Sequence, residues 1–86
     1  MTLIQALQRT CELLESSKDS TWSPESASEI HAQVVQFIDA IQVESDYDKS
    51  NLRFLFLPTG PVQDTAIDNG WGEEMLELAA VVDEYA

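Results

Sequence analysis

Apolar residues recur at helical spacing in the first segment of the chain. In residues 3–16 one side of the predicted helix carries Leu3, Ile4, Leu7, Cys11 and Leu14. Side chains that recur every three or four positions share one face of an α-helix. Thr2 comes just before this segment, and its hydroxyl can accept a hydrogen bond from a free backbone N–H of the first turn. The pattern therefore predicts a helix over 3–16 that is capped by Thr2 and buries Cys11.

A second, longer segment has the same spacing. In residues 24–43 the apolar stripe consists of Ala27, Ile30, Val34, Phe37, Ile38 and Ile41. Serine favours the N-cap position, and proline is tolerated in the first turn because its missing N–H would have no partner there. We therefore predict one continuous helix over 24–43, capped by Ser23, with Ile38 and Ile41 among its buried residues.

The third segment lies at the end of the chain. We predict that its inner, core-facing stripe consists of Met75, Leu76, Ala79, Val82 and Tyr85. Glu73 and Glu74 precede most of them, and carboxylates are stabilised at the positive end of a helix dipole. The Asn69-Gly70 pair before this segment suits the left-handed residue that ends a helix. The pattern predicts a final helix that begins near Glu73, after an earlier helix has ended at Gly70.

The middle of the chain is ambiguous because LRFLFL, residues 52–57, is too short to be assigned by period. A single strand would leave its backbone hydrogen bonds unmade, so a short helix that ends before Pro58 is favoured. This helix would be capped by Ser50 or Asn51. Thr59 or Gly60 would then cap another short helix, with Pro61 in its first turn.

These elements predict an all-α fold: a small helical bundle of three main helices and one or two short ones. The alternative is an α+β fold with a small hairpin at 52–68. We expect residues 1–86 to form a single domain, because 86 residues leave no room for a second one.

Charge narrows the classes of function. Sixteen acidic and four basic side chains give a net charge of −12 at pH 7. Residues 44–86 hold ten acidic and two basic side chains (−8), whereas 1–43 hold six and two (−4). Such a field repels nucleic acid and anionic membranes and attracts basic proteins. The chain has no apolar run near the roughly 20 residues of a membrane span, and its start lacks the features of a secretory signal. We therefore expect a cytoplasmic protein.

Motifs for catalysis or cofactor binding are incomplete. Cys11 and His31 are the single thiol and imidazole, and we interpret them as a core residue and a helix-flank residue. The segment DYDKSN begins like a calcium loop, but Asn51 and Leu57 occupy the positions that require glycine and glutamate. The glycines lack the spacing of a phosphate loop. We expect no catalytic residue, no metal and no cofactor, and hence a protein that is not an enzyme.

Residues 54–83 resemble small acidic uncharacterised bacterial proteins, some of which resemble immunity proteins of toxin–antitoxin and contact-inhibition systems. The pattern that carries this resemblance consists of Pro58, Thr59, Gly60, Gln63, Asn69, Gly70 and Trp71. The resemblance implies a bacterial source and a binding role.

Together, charge and resemblance favour an acidic protein-binding module that occludes a basic protein partner, such as a toxin or enzyme. The predicted partner-binding residues are Asp46, Tyr47, Asp48, Asp64, Asp68, Trp71 and Glu77. The acids would steer the partner, and Trp71 or Tyr47 would provide an apolar anchor. The alternative is a scaffold or regulatory adaptor that forms homodimers or larger homo-oligomers through its apolar faces.

Overall fold

Five α-helices follow one another in the computed structural model, which describes residues 1–21, 23, 25–58 and 60–86. They are α1 (Leu3–Glu15), α2 (Ala27–Gln42), α3 (Lys49–Leu55), α4 (Pro61–Asp68) and α5 (Gly72–Tyr85). No residue in those four ranges belongs to a strand. The all-α prediction of three main helices and two short ones is confirmed, and the hairpin alternative is wrong.

The two long N-terminal helices begin with the same local device. In α1 the Thr2 hydroxyl accepts from the Gln5 N–H at 3.1 Å, and the Gln5 side chain accepts from the Thr2 N–H at 2.9 Å. In α2 the same reciprocal pair joins Ser26 and Glu29. Each pair satisfies donors that the first turn of a helix leaves free. The predicted Thr2 cap is confirmed.

The predicted start of α2 is wrong by three residues. The N-cap is Ser26, because Glu29 lies at the position from which its side chain reaches back to the cap, and Ser23 has no such partner. The Ser23 hydroxyl instead accepts from the Glu25 N–H at 3.2 Å. Pro24, predicted in the first turn, lies outside the described residues.

The starts of α3 and α4 follow from a carboxylate and a glycine. Asp48 caps α3 by accepting from the Asn51 N–H at 3.0 Å, so the predicted cap at Ser50 or Asn51 is wrong. Gly60 is the N-cap of α4, with proline in the first turn as predicted. A Cβ at Gly60 would lie 2.6 Å from the backbone oxygen of Phe54, so this position requires glycine. The alternative cap, Thr59, lies outside the described residues.

The core lies between α1, α2 and α5, with α3 and α4 on the remaining side. Its largest fully buried side chains are Leu7, Ile30, Leu52, Leu55, Met75, Leu78, Val34, Val62, Val82, Thr10 and Thr65. The prediction for the α2 stripe holds for Ile30, Val34 and Phe37. Ile38 and Ile41 are only partly buried and pack against the outside of this core.

The predicted inner stripe of α5 is partly wrong. Met75 and Val82 are buried, but Leu76 is 60 % exposed and Tyr85 55 % exposed, while Leu78 is 1 % exposed. Leu76 and Leu78 are about 200° apart around a helix, so both cannot face the same core. None of the described helices has the length and apolar character needed to cross a membrane.

Candidate functional site

A network of hydrogen bonds fixes the α4–α5 corner, residues 68–71, to the segment that follows α1. The Asn69 side chain accepts from the Lys18 N–H at 2.8 Å and donates to the Lys18 carbonyl at 2.8 Å. It also donates to the Thr65 carbonyl at 2.9 Å, within its own helix. The side-chain amide of Asn69 thus binds both the N–H and the carbonyl of Lys18, as the backbone of a neighbouring β-strand would.

Two further contacts of this corner involve predicted partner-binding residues. The Ser20 hydroxyl donates to the Asp68 carboxylate at 2.6 Å. The Trp71 indole N–H donates to the Ser17 hydroxyl at 2.9 Å, and Trp71 is only 8 % exposed. Trp71 is therefore a core residue, which corrects its proposed role as an exposed anchor, and Asp68 already has an intramolecular partner.

The predicted residues of the α2–α3 connection lie elsewhere on the bundle. The Tyr47 ring packs edge-on against Phe37, with ring centroids 6.1 Å apart. Asp48 caps α3, and Asp46 is exposed. Tyr47 therefore contributes mainly to packing against α2, although it remains partly exposed.

These two groups of predicted residues do not form one site. The segment bound by the α4–α5 corner also contains Asp19, whose carboxylate accepts from the Ala27 N–H at 2.8 Å at the start of α2. Phe37, the neighbour of Tyr47, lies ten residues further along α2. Ten residues of helix span about 15 Å. The corner and the α2–α3 connection are therefore separated along the bundle.

The remaining predicted residues, Asp64 and Glu77, belong to neither of these two groups. Asp64 is in the first turn of α4 and is partly exposed, whereas Glu77 is exposed on α5. The α5 helix contains five carboxylates and no lysine or arginine. Its exposed side, which we call the α5 outer face, consists of Glu73, Leu76, Glu77, Ala80, Asp83 and Glu84.

One carboxylate of α5 is not part of this face, because it holds the helix against α1. The Arg9 guanidinium donates to both oxygens of Glu74, through Nε at 2.6 Å and Nη2 at 3.1 Å. The Arg9 hydrogen bond lowers the pKa of Glu74 below its usual range, and the same bond raises the pKa of Arg9. Sequence spacing could not reveal this pair, because its partners are 65 residues apart.

Most of the acidic charge has no such partner. In the ranges that the structure describes, three of the sixteen carboxylates, those of Glu12, Glu15 and Glu74, lie within 4.0 Å of a basic side chain. The basic residues are too few to neutralise the rest, so the α5 outer face keeps a strong negative potential. A potential of this sign attracts cations and repels anions.

Apolar side chains accompany these carboxylates. Leu76 lies on the α5 outer face, and Ile67 of α4 is 59 % exposed. Gly72 lies between these two residues in the chain. A Cβ built at Gly72 would lie 3.5 Å from Ile67 Cγ1, and Leu76 follows Gly72 by one helical turn. A groove of about 530 Å³ lies beside them, lined by Ile67, Gly70, Trp71, Gly72, Glu73 and Glu74. We take the α5 outer face and this groove as the candidate site.

The residues considered for nucleophilic catalysis have other neighbours. Cys11 is buried on α1, and burial raises the pKa of its thiol to about 11, with a further contribution from Glu15. The thiol is therefore protonated near neutral pH. His31 Nε2 lies 3.3 Å from Glu15 Oε1, beside a groove of about 330 Å³ between α1 and α2. Within the described part of the chain, no three His, Cys, Asp or Glu side chains are grouped to hold a metal ion.

Comparison with protein-family models, with curated proteins and with solved structures finds no match to this chain. The candidate site therefore rests on geometry and charge. It combines exposed apolar side chains, carboxylates that have no basic side chain within 4.0 Å in the described part of the chain, and an open groove at one end.

Proposed function

We propose that this protein is an acidic binding module that recognises a basic protein partner through the α5 outer face. The most specific version of this proposal is an immunity or inhibitor protein that covers a basic toxin or enzyme in the bacterial cytoplasm. The observation that carries the proposal is the combination on α5 of exposed Leu76 with four carboxylates, at Glu73, Glu77, Asp83 and Glu84, that have no basic neighbour within 4.0 Å in the described ranges.

This combination matches the different roles that apolar and charged residues have in a protein interface. Apolar side chains near the centre supply most of the affinity, whereas charges at the rim steer the encounter and set its register. On α5, Glu73 lies about 60° and Glu77 about 100° from Leu76 around the helix axis, so both carboxylates flank Leu76 on one side. They would meet lysine or arginine side chains of the partner while Leu76 and Ile67 meet its apolar atoms.

The same arrangement disfavours pairing with a second copy of the chain through this face. Self-association would bring Glu73, Glu77 and their neighbours against identical carboxylates, and juxtaposed like charges cost several kcal/mol. A basic partner has the opposite effect, because it offsets the −12 net charge of the chain. The homo-oligomeric scaffold would therefore need a different surface from the one described.

The test begins with capture of binding proteins from the native host by a tagged form of the chain. Each candidate is then purified, and its association rate is measured against the wild type and the Glu73→Gln/Glu77→Gln variant. The control is Asp39→Asn/Glu44→Gln, which removes the same charge from exposed positions on and just after α2.

We expect a basic partner whose association rate falls steeply as salt is added, because screening removes the steering. The α5 variant should associate more slowly at low salt than the control. The proposal fails if the purified partner is not basic, or if both variants associate as fast as the wild type at low salt.

A further inference from the structure

The groove beside the α5 outer face is partly lined by apolar residues and has little side-chain volume at its two glycines. Ile67 and Trp71, which keeps 8 % of its surface exposed, are the apolar residues of the lining. A Cβ at Gly70 would meet nothing within 4 Å, and a Cβ at Gly72 would meet only Ile67, at 3.5 Å and beyond. The two glycines therefore leave room that ordinary side chains would narrow.

A carboxylate that is free to bind a cation stands at the edge of this groove. Glu73 is exposed, and in the described ranges it has no basic side chain within 4.0 Å. Its neighbour Glu74 is already bound on both oxygens by the Arg9 guanidinium. The first turn of α5 thus already accommodates one guanidinium, on the side that faces α1.

We propose that the groove binds an arginine side chain of the basic partner, with its guanidinium on Glu73 and its methylene stem on Ile67 and Trp71. This inference rests on the proposed function and adds the chemical group that is recognised. The stem of arginine can cover apolar surface while its charged end stays near water. A planar, weakly hydrated guanidinium matches a carboxylate with two parallel hydrogen bonds, which the ammonium of lysine cannot form.

The positive end of the α5 dipole does not prevent this. It amounts to about half an elementary charge, whereas Glu73 and Glu77, one turn apart, are two acidic residues that each count for one formal negative charge. The local potential at the exposed edge of the groove therefore remains negative, as a cationic ligand requires.

The test uses NMR titration of the full-length chain with three small probes: N-acetyl-arginine amide, the matched lysine compound and the matched citrulline compound. We expect arginine to shift the Trp71 indole signal and the backbone amides of Gly70, Gly72 and Glu73. Lysine should bind roughly threefold to tenfold more weakly, and uncharged citrulline should produce no localised shifts.

Three variants locate the contact. Glu73→Gln should weaken arginine binding. Glu44→Gln removes an equal charge from an exposed position just after α2, in the connection that lies apart from the α4–α5 corner, and should leave binding nearly unchanged. Gly72→Ala adds a methyl group at the groove edge and should also weaken binding. Its single close neighbour at 3.5 Å is an ordinary contact, so the fold should remain intact, which the dispersion of the NMR spectrum will show.

Equal binding of the arginine and lysine probes, or equal losses in Glu73→Gln and Glu44→Gln, would overturn the groove inference, because either result indicates general attraction to an acidic surface. That result would leave the proposed function standing. The proposed function fails separately, in the association-rate measurement with the purified partner. The two failures are therefore distinguishable.

Discussion

The ends of α2 and α4 have the same backbone geometry but different residues at the critical position. Each helix is followed by a residue in the left-handed region: Glu44 after α2, with φ of 57°, and Gly70 after α4, with φ of 82°. Glycine adopts this conformation freely, whereas a residue with a Cβ is strained there by about 1–2 kcal/mol.

After α4 the backbone closes on itself and then enters the core. The Trp71 N–H donates to the Ala66 carbonyl at 2.9 Å, and the Gly70 N–H donates to the Ile67 carbonyl at 3.3 Å. This pair of bonds is the Schellman motif. Because the next side chain is buried Trp71, the direction of the chain at this point is fixed by core packing.

After α2 the same two bonds recur in an exposed connection. The Ser45 N–H donates to the Ala40 carbonyl at 2.9 Å, and the Glu44 N–H donates to the Ile41 carbonyl at 3.2 Å. Both Glu44 and Ser45 are exposed. The Schellman motif therefore tolerates a strained residue at the left-handed position. Gly70, by contrast, belongs to the α4–α5 corner, which places the Trp71 side chain in the core and binds the segment around Lys18.

The largest effect is expected at the core residue of the α4–α5 corner. Trp71→Ala should lower the free energy of unfolding by about 3–5 kcal/mol, through lost burial and the resulting cavity. Urea denaturation measures it. Trp71→Phe keeps most of the ring but loses the bond to Ser17, so its loss should be clearly smaller. A Trp71→Ala variant as stable as Trp71→Phe would contradict the assignment of Trp71 to the core.

The next largest effect is expected at Asn69. Asn69→Ala removes three hydrogen bonds, two of them to the backbone of Lys18, and should cost about 1–3 kcal/mol in total. Hydrogen exchange provides a local measurement: the Lys18 amide should lose protection more than the amides in the middle of α2. Unchanged exchange at Lys18 would show that the Asn69 contact does not hold this segment.

A smaller loss is expected at Gly70. The space around a Cβ there is open, so the cost of Gly70→Ala comes from backbone strain alone and should be about 1 kcal/mol. Gly70→Asn is the control, because asparagine tolerates the left-handed conformation better than alanine. Should the two variants unfold at the same urea concentration, strain at this position would not limit stability.

The smallest effect, a gain, is expected at the other helix end. Glu44→Gly relieves the strain but adds freedom to the unfolded chain, so it should stabilise the protein by at most about 1 kcal/mol. Thermal unfolding can detect this, with Glu44→Gln as the control that keeps the strain. A loss of stability in Glu44→Gly would mean that the two helix ends are not equivalent.

Several features that depend only on residues close together in the chain were predicted from the sequence. The Thr2 cap, the Gly60-Pro61 helix start and the left-handed Gly70 were all predicted, because caps and turns involve residues within a few positions of one another. Local signals were also available where the prediction failed. The Ser26–Glu29 pair has the spacing of a capping box, and Asp48 is a good N-cap residue.

The candidate site was predicted only in part. Its acidic character follows from the composition, and Glu77 was among the predicted residues. Trp71, by contrast, belongs to the core. The predicted residues of the α2–α3 connection lie apart from the α4–α5 corner. The exposure of Leu76 has no local signal, because Leu76 and Leu78 are equally apolar and lie on nearly opposite sides of one helix. Their roles depend on which side of α5 packs against α1.

Amphipathic helices with defined starts and ends, and a large negative charge, can be read directly from this chain. These properties arise from local hydrogen bonds, side-chain periodicity and residue counts. Packing between the helices sets which face of α5 is outside, pairs Arg9 with Glu74, and brings Asn69 to Lys18. Those outcomes join residues 51 to 65 positions apart, and they depend on how the packed helices orient their side chains.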